Sequence, residues 1–422
     1  MKVFNIISTL FSTLLFLSAL PLSAQVQKDS IATEFIRTVQ LTLYGSESQP
    51  PVLSLDGPHR LQLAFDELTD QSHSFKYRIS HCDAQWQPDG LEPFQYLDGF
   101  EEGYINDFEP SFTTLMPYMH YTCTLPAEYT RFTVSGNYLL TVTPDDRPDS
   151  VLFTRRFRVT EQAIDATVTV ARASDDIHRS QEVSVFLDWN KQRSPRSGVL
   201  LQPQYIKVFV QQNGRLDNIR QLPFANYSGQ TLCYQWRPEN VFPGGNSFRF
   251  FDMSNLRATM YNVQRVDYYG GEIFVALRPD EDRSHKNYSP VEALNGGYKI
   301  NARDRNNPVL ESEYAWVNFS LPVERPYLGG AVYIVGDLTD WLFNDESRMD
   351  YNPDYRAYTK RLELKQGYYS YQLLYRPFGD REALTSTIEG DHHATPNLYT
   401  AYVYYRGPND TYDRLIQVRQ AR

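Results

Sequence analysis

The chain of 422 residues lacks several features that mark membrane, nucleic-acid-binding and metal-binding proteins. After residue 20 no apolar run approaches the ~20 residues that a helix needs to cross a bilayer. The net charge of -10 disfavours nucleic acid and anionic lipid as partners, because both attract basic faces. The three cysteines have no metal-binding spacing and no Cys-x-x-Cys pair. We therefore expect no direct membrane insertion and no nucleic-acid partner.

Sequence signatures of catalysis are also missing. The chain has no glycine-rich phosphate loop, no nucleophile elbow and no zinc signature. His81, Cys82 and Asp83 place a thiol beside an imidazole, but neighbours in a β-strand point to opposite faces, and a nucleophile needs its base beside it. The same argument weakens a metal site at residues 391–393, where an aspartate precedes two histidines. We predict a non-enzymatic protein without catalytic residues, metal ligands or cofactors.

Paired carboxylates occur at Asp337 with Asp340 and at Glu101 with Glu102. A glycosidase needs two carboxyl groups about 5–9.5 Å apart across a cleft that holds a sugar. Nothing in the sequence places either pair beside such a cleft. We interpret these residues as turn-forming and solvated.

The first 24 residues are typical of a secretory signal peptide, with Lys2, an apolar stretch from residue 3 to about 20, and cleavage after Ala24. Export would bring the cysteines into an oxidising compartment. A disulfide between Cys82 and Cys123 is one alternative, and small buried thiols are the other.

The aromatic content of 31 Tyr, 24 Phe and 5 Trp favours pleated, half-buried strands over helices. With about 150 residues per domain, the length predicts three domains, which we place at 25–161, 162–310 and 311–422. Alternating apolar and polar residues predict strands at 39–44, 61–65, 75–79, 139–142, 153–159, 166–170, 183–187, 205–210, 232–236, 248–251, 273–277, 298–300, 316–321, 331–335, 358–364, 368–375 and 399–405. We predict tandem immunoglobulin- or fibronectin-like β-sandwiches, with a short helix near 28–38 and an exposed loop at 278–284.

The last domain contains GDLTDW at 336–341 and QGYYSYQ at 366–372. These segments resemble the early-set sandwich of glycogen-binding modules, which stack sugar rings on aromatic faces. The other interpretation is that Trp341 and the tyrosines fill the core of their own domain.

A series of aromatic phrases extends over nearly the whole chain after the signal peptide. The N-terminal phrases are YRISHCDAQW (77–86), YLDGF (96–100), SGNYLL (135–140) and TRRF (154–157). Later phrases include PGGNSFRFFD (243–252), NGGY (295–298), EYAWVNF (313–319), EGD (389–391), TPNLY (395–399), VYYR (403–406) and YDRLI (412–416). The order of these segments along the chain and the residues within them resemble the plug protein family of the type IX secretion system.

The resemblance implies a periplasmic protein, associated with the outer membrane through one partner. That partner is the large β-barrel translocon of the type IX system, which the plug closes when no substrate is engaged. The protein would otherwise be monomeric. The sequence does not indicate which residues contact the translocon. An alternative function, based on Trp341, is a secreted carbohydrate-binding β-sandwich protein.

Overall fold

The computed structural model describes residues 26–46, 49–191 and 201–422. The signal peptide predicted for residues 1–24 lies outside this part of the chain. The described residues are nearly all β-structure arranged in packed sheets, which confirms the predicted all-β sandwich class. Their helices are short: α1 (Pro93–Tyr96), α2 (Pro308–Glu311) and 3-10 turns at Trp189–Lys191, Pro203–Tyr205, Pro238–Asn240 and Asp337–Thr339. None of these helices combines the length and the apolar character needed to cross a membrane.

The N-terminal sandwich consists of two facing sheets and a small ribbon. Its strands are β1 (Ser30–Ile31), β2 (Ile36–Leu43), β3 (Val52–Ser54), β4 (Leu61–Glu67), β5 (Phe75–Cys82), β6 (Leu97–Asp98), β7 (Glu102–Ile105), β8 (Asp107–Pro110), β9 (Met119–Leu125), β10 (Arg131–Phe132), β11 (Gly136–Pro144) and β12 (Phe153–Thr160). One sheet has the order β1-β12-β11-β5-β7, with β3 pairing in parallel with β12, and the other has the order β2-β4-β9-β8. The ribbon pairs β6 with β10.

The core of this sandwich is a single cluster of side chains from both sheets. Phe65 on one sheet stacks on Tyr121 and meets Phe153 of the other sheet edge to face, with ring centroids 5.0 Å apart in each pair. Aromatic pairs of this geometry add to the stabilisation that burial gives. The high aromatic content therefore serves the core, as the alternating pattern predicts.

The rest of the chain forms two further sandwiches. The strands are β13 (Asp165–Arg172), β14 (Ser180–Asp188), β15 (Ile206–Gln212), β16 (Arg220–Leu222), β17 (Asn226–Ser228), β18 (Thr231–Tyr234), β19 (Val241–Pro243), β20 (Arg249–Asp252), β21 (Val263–Tyr269), β22 (Glu272–Leu277), β23 (Tyr298–Ile300), β24 (Tyr314–Pro322), β25 (Gly330–Val335), β26 (Arg348–Asn352), β27 (Ala357–Lys365), β28 (Gly367–Pro377), β29 (Tyr399–Tyr405) and β30 (Arg414–Ala421).

The second sandwich is assembled from two distant parts of the sequence. One sheet has the order β13-β14-β18-β17, with β19 also pairing with β14, and the facing sheet has the order β16-β15-β29-β30. β20–β28 lie between these parts in sequence and form the third sandwich around a bent sheet of order β20-β28-β25-β26-β27-β24-β22-β21, with β23 beside β28. The third sandwich is thus inserted into the second.

Strand pairs connect the residues on the two sides of the predicted domain boundary at residue 310. Three strands that precede residue 310 pair with strands that follow it: β15 pairs with β29, and β20 and β23 pair with β28. The three domains at 25–161, 162–310 and 311–422 therefore stay a prediction. The reason for the crossing is that β15 needs a neighbour to complete its sheet, and β29 supplies it from about 190 residues away.

β29 shows how one strand serves two neighbours. Tyr399, Ala401 and Val403 point into the core of the second sandwich. Tyr402 and Tyr404 point to the opposite face and pack in a cluster with Ala84 of the N-terminal sandwich. Because successive side chains of a strand alternate between faces, a strand buried on both faces reads as a continuous aromatic run.

One local prediction was wrong, and another was confirmed only in part. The segment predicted as a helix near 28–38 contains β1 and the start of β2, because pairing of β1 with β12 overrides the local helical pattern. The loop 278–284 is a loop, but it is not simply exposed. Asp280 and Arg283 turn inward and form ion pairs with buried residues of the third sandwich.

Candidate functional surfaces and buried junctions

The histidine and cysteine of the first aromatic phrase have structural roles. His81 is buried, with Nδ1 2.5 Å from Asp89 and Nε2 3.2 Å from the carbonyl oxygen of Ser135. Cys82 points to the other face and packs with Trp86 and Leu139. Burial raises the pKa of the Cys82 thiol to about 12, so the thiol stays protonated at neutral pH. No nucleophile is assembled from these neighbours.

The remaining residues of this phrase shape the turn that follows β5. Asp83 accepts hydrogen bonds from the backbone amides of Gln85 and Gln87, each at 2.8 Å. The ring of Trp86 lies 4.7 Å from the guanidinium of Arg156 and 4.9 Å from that of Arg158. All three cysteines are free thiols, and Cys82 and Cys123 lie on different sheets.

Residues 391–393 hold together the two segments that connect the second and third sandwiches. Asp391 accepts a hydrogen bond from the amide of Gly245 at 3.0 Å, and the amide of His392 donates to the carbonyl of Gly245 at 2.9 Å. The amide of His393 donates to the carbonyl of His178. In the described residues, no group of three or more His, Cys, Asp or Glu side chains is arranged to hold a metal ion.

Trp341 is buried in a small cluster where the third sandwich meets the β15–β16 loop of the second. Its side chain is 7 % exposed, and its indole nitrogen donates to Asp337 at 2.5 Å. A Cβ atom added at Gly214 or Gly296 would lie within 2.4 Å of the ring, so backbone covers the indole closely. The ring therefore presents no face to a sugar. Asp340, the other half of the carboxylate pair, forms an ion pair with Arg155 of the N-terminal sandwich at 3.0 Å.

Glu101 and Glu102 stand on the surface of the N-terminal sandwich. Glu102 forms an ion pair with Arg78 on the adjacent strand. The carbonyl of Glu101 accepts a hydrogen bond from the amide of Ile79. Their surroundings are the exposed side chains of Phe94 and Phe100, with no enclosed cleft of the kind that sugar hydrolysis requires in this part of the structure.

A buried ionic cluster lies where the inserted sandwich begins and ends. We call it the crossover network: Arg249, Asp280, Arg283 and Glu389. Arg249 donates to Glu389 at 2.9 Å and to Asp280 at 3.0 Å, and Nε of Arg283 donates to the other oxygen of Glu389 at 2.9 Å. Burial opposes ionisation of Glu389, but the two arginines outweigh it and hold the pKa of Glu389 below its ordinary value. The carboxylate is therefore charged and saturated with donors.

Beside the crossover network, the segments at 243–252 and 389–399 contact each other directly. The side-chain amide of Asn246 donates to the carbonyl of Glu389 at 2.7 Å, and that of Asn397 donates to the carbonyl of Gly244 at 2.7 Å. A Cβ atom at Gly244 would lie 2.3 Å from the carbonyl oxygen of His392. The two connecting segments therefore run side by side and require glycine at their closest approach.

A second buried cluster joins the N-terminal sandwich to the third. We call it the Asp66 junction: Asp66, His120, Tyr314 and Lys365. Lys365 donates to Asp66 at 2.6 Å, Tyr314 donates to the same oxygen at 2.6 Å, and Nδ1 of His120 lies 2.6 Å from the other oxygen. Asp66 and Lys365 are 1 % and 2 % exposed. A buried charge pair of this kind is strongly destabilised when one partner is removed.

The pKa values of the Asp66 junction follow from burial and charge. Burial opposes ionisation of Asp66, but the ammonium of Lys365 and the ring of His120 outweigh it and lower the pKa of Asp66. Burial lowers the pKa of Lys365 despite the nearby carboxylate. Thr38 supports the junction from a bulge in β2, where its φ is +51° and its hydroxyl lies 2.7 Å from that of Tyr314. Such a φ is rare for a β-branched residue.

A third contact joins the N-terminal sandwich to the second. Arg414 donates to both oxygens of Glu161, at 2.6 Å and 3.0 Å. The hydroxyl of Tyr404 donates to Asn137 at 2.7 Å, and the guanidinium of Arg158 lies 3.8 Å from the ring centroid of Tyr402. The N-terminal sandwich is thus tied to both of the others by buried polar contacts.

Sequence reasoning missed the Asp66 junction. A single acid at the end of an alternating strand and a single lysine at the end of another are common surface features, and neither indicates a partner 299 residues away. The phrase at 313–319 marked Tyr314, and the phrases at 243–252 and 389–391 marked Arg249 and Glu389, but none of them showed which residues meet.

The described residues define a class of protein: an all-β assembly of three sandwiches joined by buried polar contacts. A family model described as the first domain of the type 9 secretion system plug protein matches residues 36–161. The chain belongs to the type IX secretion system plug protein family. Members of this family are structural components of the secretion system and associate with one of its outer-membrane components.

A solved structure supports the fold over nearly the whole length. The crystal structure of a hypothetical protein from Parabacteroides merdae ATCC 43184 is 30% identical, with a TM-score of 0.88, and the match covers 93% of this chain and 98% of that chain. The alkylpurine DNA glycosylase AlkC of Pseudomonas fluorescens has a TM-score of 0.17 at 11% identity, over 29% of each chain, which is too low to indicate a shared fold. No curated protein matches the chain.

Proposed function

We propose that this protein is a non-enzymatic periplasmic plug, which docks on the outer-membrane translocon of the type IX secretion system and closes it when no substrate is engaged. Family membership supports a place in this system. The observation that carries the rest is that three sandwiches are tied to one another by buried ion pairs and hydrogen bonds. Such a body keeps its outer shape under load.

A rigid body suits the task for a physical reason. Outer-membrane barrels reach 36 strands at the large extreme, and an open lumen of that width would pass solutes. A stopper that deformed would leak, so the contacts between its parts must not slide. Interfaces within a chain are commonly mobile unless they are extensive or strongly bonded, and the buried charges at these contacts oppose sliding.

The proposal includes the surroundings and organisation of the protein. We place it in the periplasm as a monomer that meets the outer membrane only through the translocon, without nucleic-acid partners. Docking would bury on the order of 1,000–2,000 Å² in total. We propose that the stopper has two structural units. One is the N-terminal sandwich, and the other is the second sandwich together with the third sandwich inserted into it.

The carbohydrate-binding alternative loses its motivating residue, since Trp341 is covered by backbone. Isothermal calorimetry with a panel of glucans is expected to give no binding heat. Saturable heat that disappears in a variant with altered surface tyrosines, and not in Trp341→Phe, would favour the alternative.

The plug function is tested in a strain that lacks the protein. We expect increased uptake of a large antibiotic such as vancomycin, with export of type IX substrates largely retained, and restoration of the barrier by the wild-type chain. Pull-down of a tagged protein from solubilised outer membranes should recover the translocon barrel. Unchanged permeability together with absence of the barrel from the pull-down would reject the plug.

A further inference from the structure

An exposed aromatic group stands on the N-terminal sandwich, on α1 and on the loops that follow β6 and precede β10. We call it the aromatic patch: Phe94, Phe100 and Tyr129. Their side chains are 80 %, 77 % and 83 % exposed. A shallow concavity between the phenylalanines is lined by Pro93, Leu97 and Gly99, among others. Large apolar groups exposed together on a folded protein commonly mark an interaction surface.

The patch is held in position by the core beneath it. Tyr96 and Leu97, which lie between the two phenylalanines in sequence, are each 3 % exposed and belong to the core cluster. Gly99 has a φ of +125°, and a Cβ atom there would lie 2.6 Å from the carbonyl oxygen of Tyr129. The two loops are therefore in direct backbone contact. Side chains presented in a fixed position lose little entropy when they bind.

The charges around the patch indicate the chemistry of its partner. Arg78 and Arg131 are paired with Glu102 and Asp98. The other charged residues of these loops are three acids: Glu92, Glu101 and Glu128. Arg60 adds one positive charge, since its Nε donates to the carbonyl of Pro126 at 3.2 Å, but the three acids outnumber it. The rim therefore has a net negative charge, which repels an anionic bilayer surface and attracts a surface rich in Lys and Arg.

A second exposed apolar pair provides a contrast. Leu328 and Phe378 on the third sandwich are 86 % and 75 % exposed. Phe378 precedes Gly379, where an added Cβ atom would meet nothing within 4 Å, so the turn is open. This pair is as apolar as the aromatic patch, and its backbone is also held in place, because the amide of Phe378 donates to the carbonyl of Gly329 at 2.9 Å. It is the matched control.

We infer that the aromatic patch is the docking surface of this protein, and that its partner is a protein surface with an apolar recess ringed by Lys and Arg. The inference rests on the proposed function, under which that surface lies on the periplasmic face of the translocon. Clustered aromatic side chains at the centre of an interface commonly carry most of its binding energy.

The test measures binding of the full-length protein to the purified translocon by biolayer interferometry. The variant Phe94→Ser/Phe100→Ser/Tyr129→Ser is compared with the wild type and with Leu328→Ser/Phe378→Ser. We expect the patch variant to bind about 100-fold more weakly and the control to bind as the wild type does. Replacing Glu101 and Glu128 with Lys should slow association at low salt, and wild-type association should slow as salt rises.

The outcomes separate the inference from the function on which it rests. If the wild type fails to bind the translocon, both are rejected. If the wild type and the patch variant bind equally, or if only the Leu328/Phe378 variant loses binding, the docking surface is wrong and the plug function stands. Binding of the wild type to phosphatidylglycerol vesicles through the patch would overturn the basic protein partner. Circular dichroism of the patch variant should match the wild type.

Discussion

The buried junctions and the aromatic patch invert the usual distribution of residues in opposite ways. At the junctions, charged groups such as Asp66, Lys365 and Glu389 lie inside the protein. At the patch, Phe94 and Phe100 lie outside. The charges have partners within the chain, whereas the aromatic rings have none in the described residues that would cover them. The difference teaches that the junctions serve the shape of the molecule and that the patch serves a partner.

If this distinction is correct, changes at the junctions should reduce stability, and changes at the patch should reduce binding alone. The largest effect is expected in the crossover network. Glu389→Ala removes the buried carboxylate that Arg249 and the partly buried Arg283 share and leaves only Asp280 to pair with Arg249, which should lower the free energy of unfolding by about 3–5 kcal/mol. Urea denaturation followed by tryptophan fluorescence measures it.

The control for that change is Glu382→Ala. Glu382 pairs with Arg220, and both side chains are partly exposed, so the loss should be about 0–1 kcal/mol. Equal losses for Glu389 and Glu382 would show that the crossover network adds no special stability.

A smaller loss is expected at the Asp66 junction. Lys365→Met removes the ammonium from Asp66, but His120 and Tyr314 remain within 2.6 Å of the carboxylate. We expect a loss of about 2–4 kcal/mol in urea denaturation. Lys360→Met on the same strand is the control, because Lys360 only donates to a backbone carbonyl at the surface and should change stability by less than about 0.5 kcal/mol.

A double-mutant cycle sharpens this prediction. Asp66→Asn and Lys365→Met together should cost less than the sum of the two single changes, because the second change removes a group that the first has left unpaired. Strict additivity would mean that Asp66 and Lys365 do not interact in solution.

The free energy of unfolding at acidic pH depends on the carboxylates of Asp66 and Glu389. The pKa values of Asp66 and Glu389 are lowered in the folded protein, so the unfolded chain takes up protons first as the pH falls. Their contribution is complete above about pH 5 and is lost as the pH falls through the folded pKa values. In Asp66→Asn, the unfolding free energy should fall less steeply between about pH 5 and 3, by up to about one proton. Identical slopes would contradict the assignment.

The smallest effect on stability is expected at the patch. The variant Phe94→Ser/Phe100→Ser/Tyr129→Ser changes exposed side chains, so its unfolding free energy should stay within about 0.5 kcal/mol per site of the wild type. Differential scanning calorimetry measures it beside the binding test. A drop comparable to that of Lys365→Met would mean that the rings are part of the core, and the contrast between junctions and patch would fail.

Most of the strands could be predicted because their signal is local. The alternation in 61–65 and 75–79 matches β4 and β5, whose apolar residues face the core and whose intervening residues face outward. The predicted helix at 28–38 failed because pairing of Ser30 with Thr154 decides that segment, and no local pattern contains a partner 124 residues away.

The functional residues were predictable only in part. The phrase at 96–100 marked Phe100, but it did not show that Leu97 is buried and Phe100 exposed. The phrases at 243–252 and 389–391 marked Arg249 and Glu389, but not their ion pair. Trp341 had two interpretations from sequence, and the close approach of Gly214 and Gly296 shows that its ring is buried, at the contact of the third sandwich with the second.

By itself, the sequence determined the all-β class, the position of most strands and the family, because alternation and phrase order are properties of neighbouring residues. Only the tertiary structure decided that the third sandwich is inserted into the second, that Lys365 neutralises Asp66 and that Phe94, Phe100 and Tyr129 are exposed on one surface. These features depend on which distant segments meet. That choice is made by the burial of whole sheets, to which each short segment contributes only a small share of the free energy.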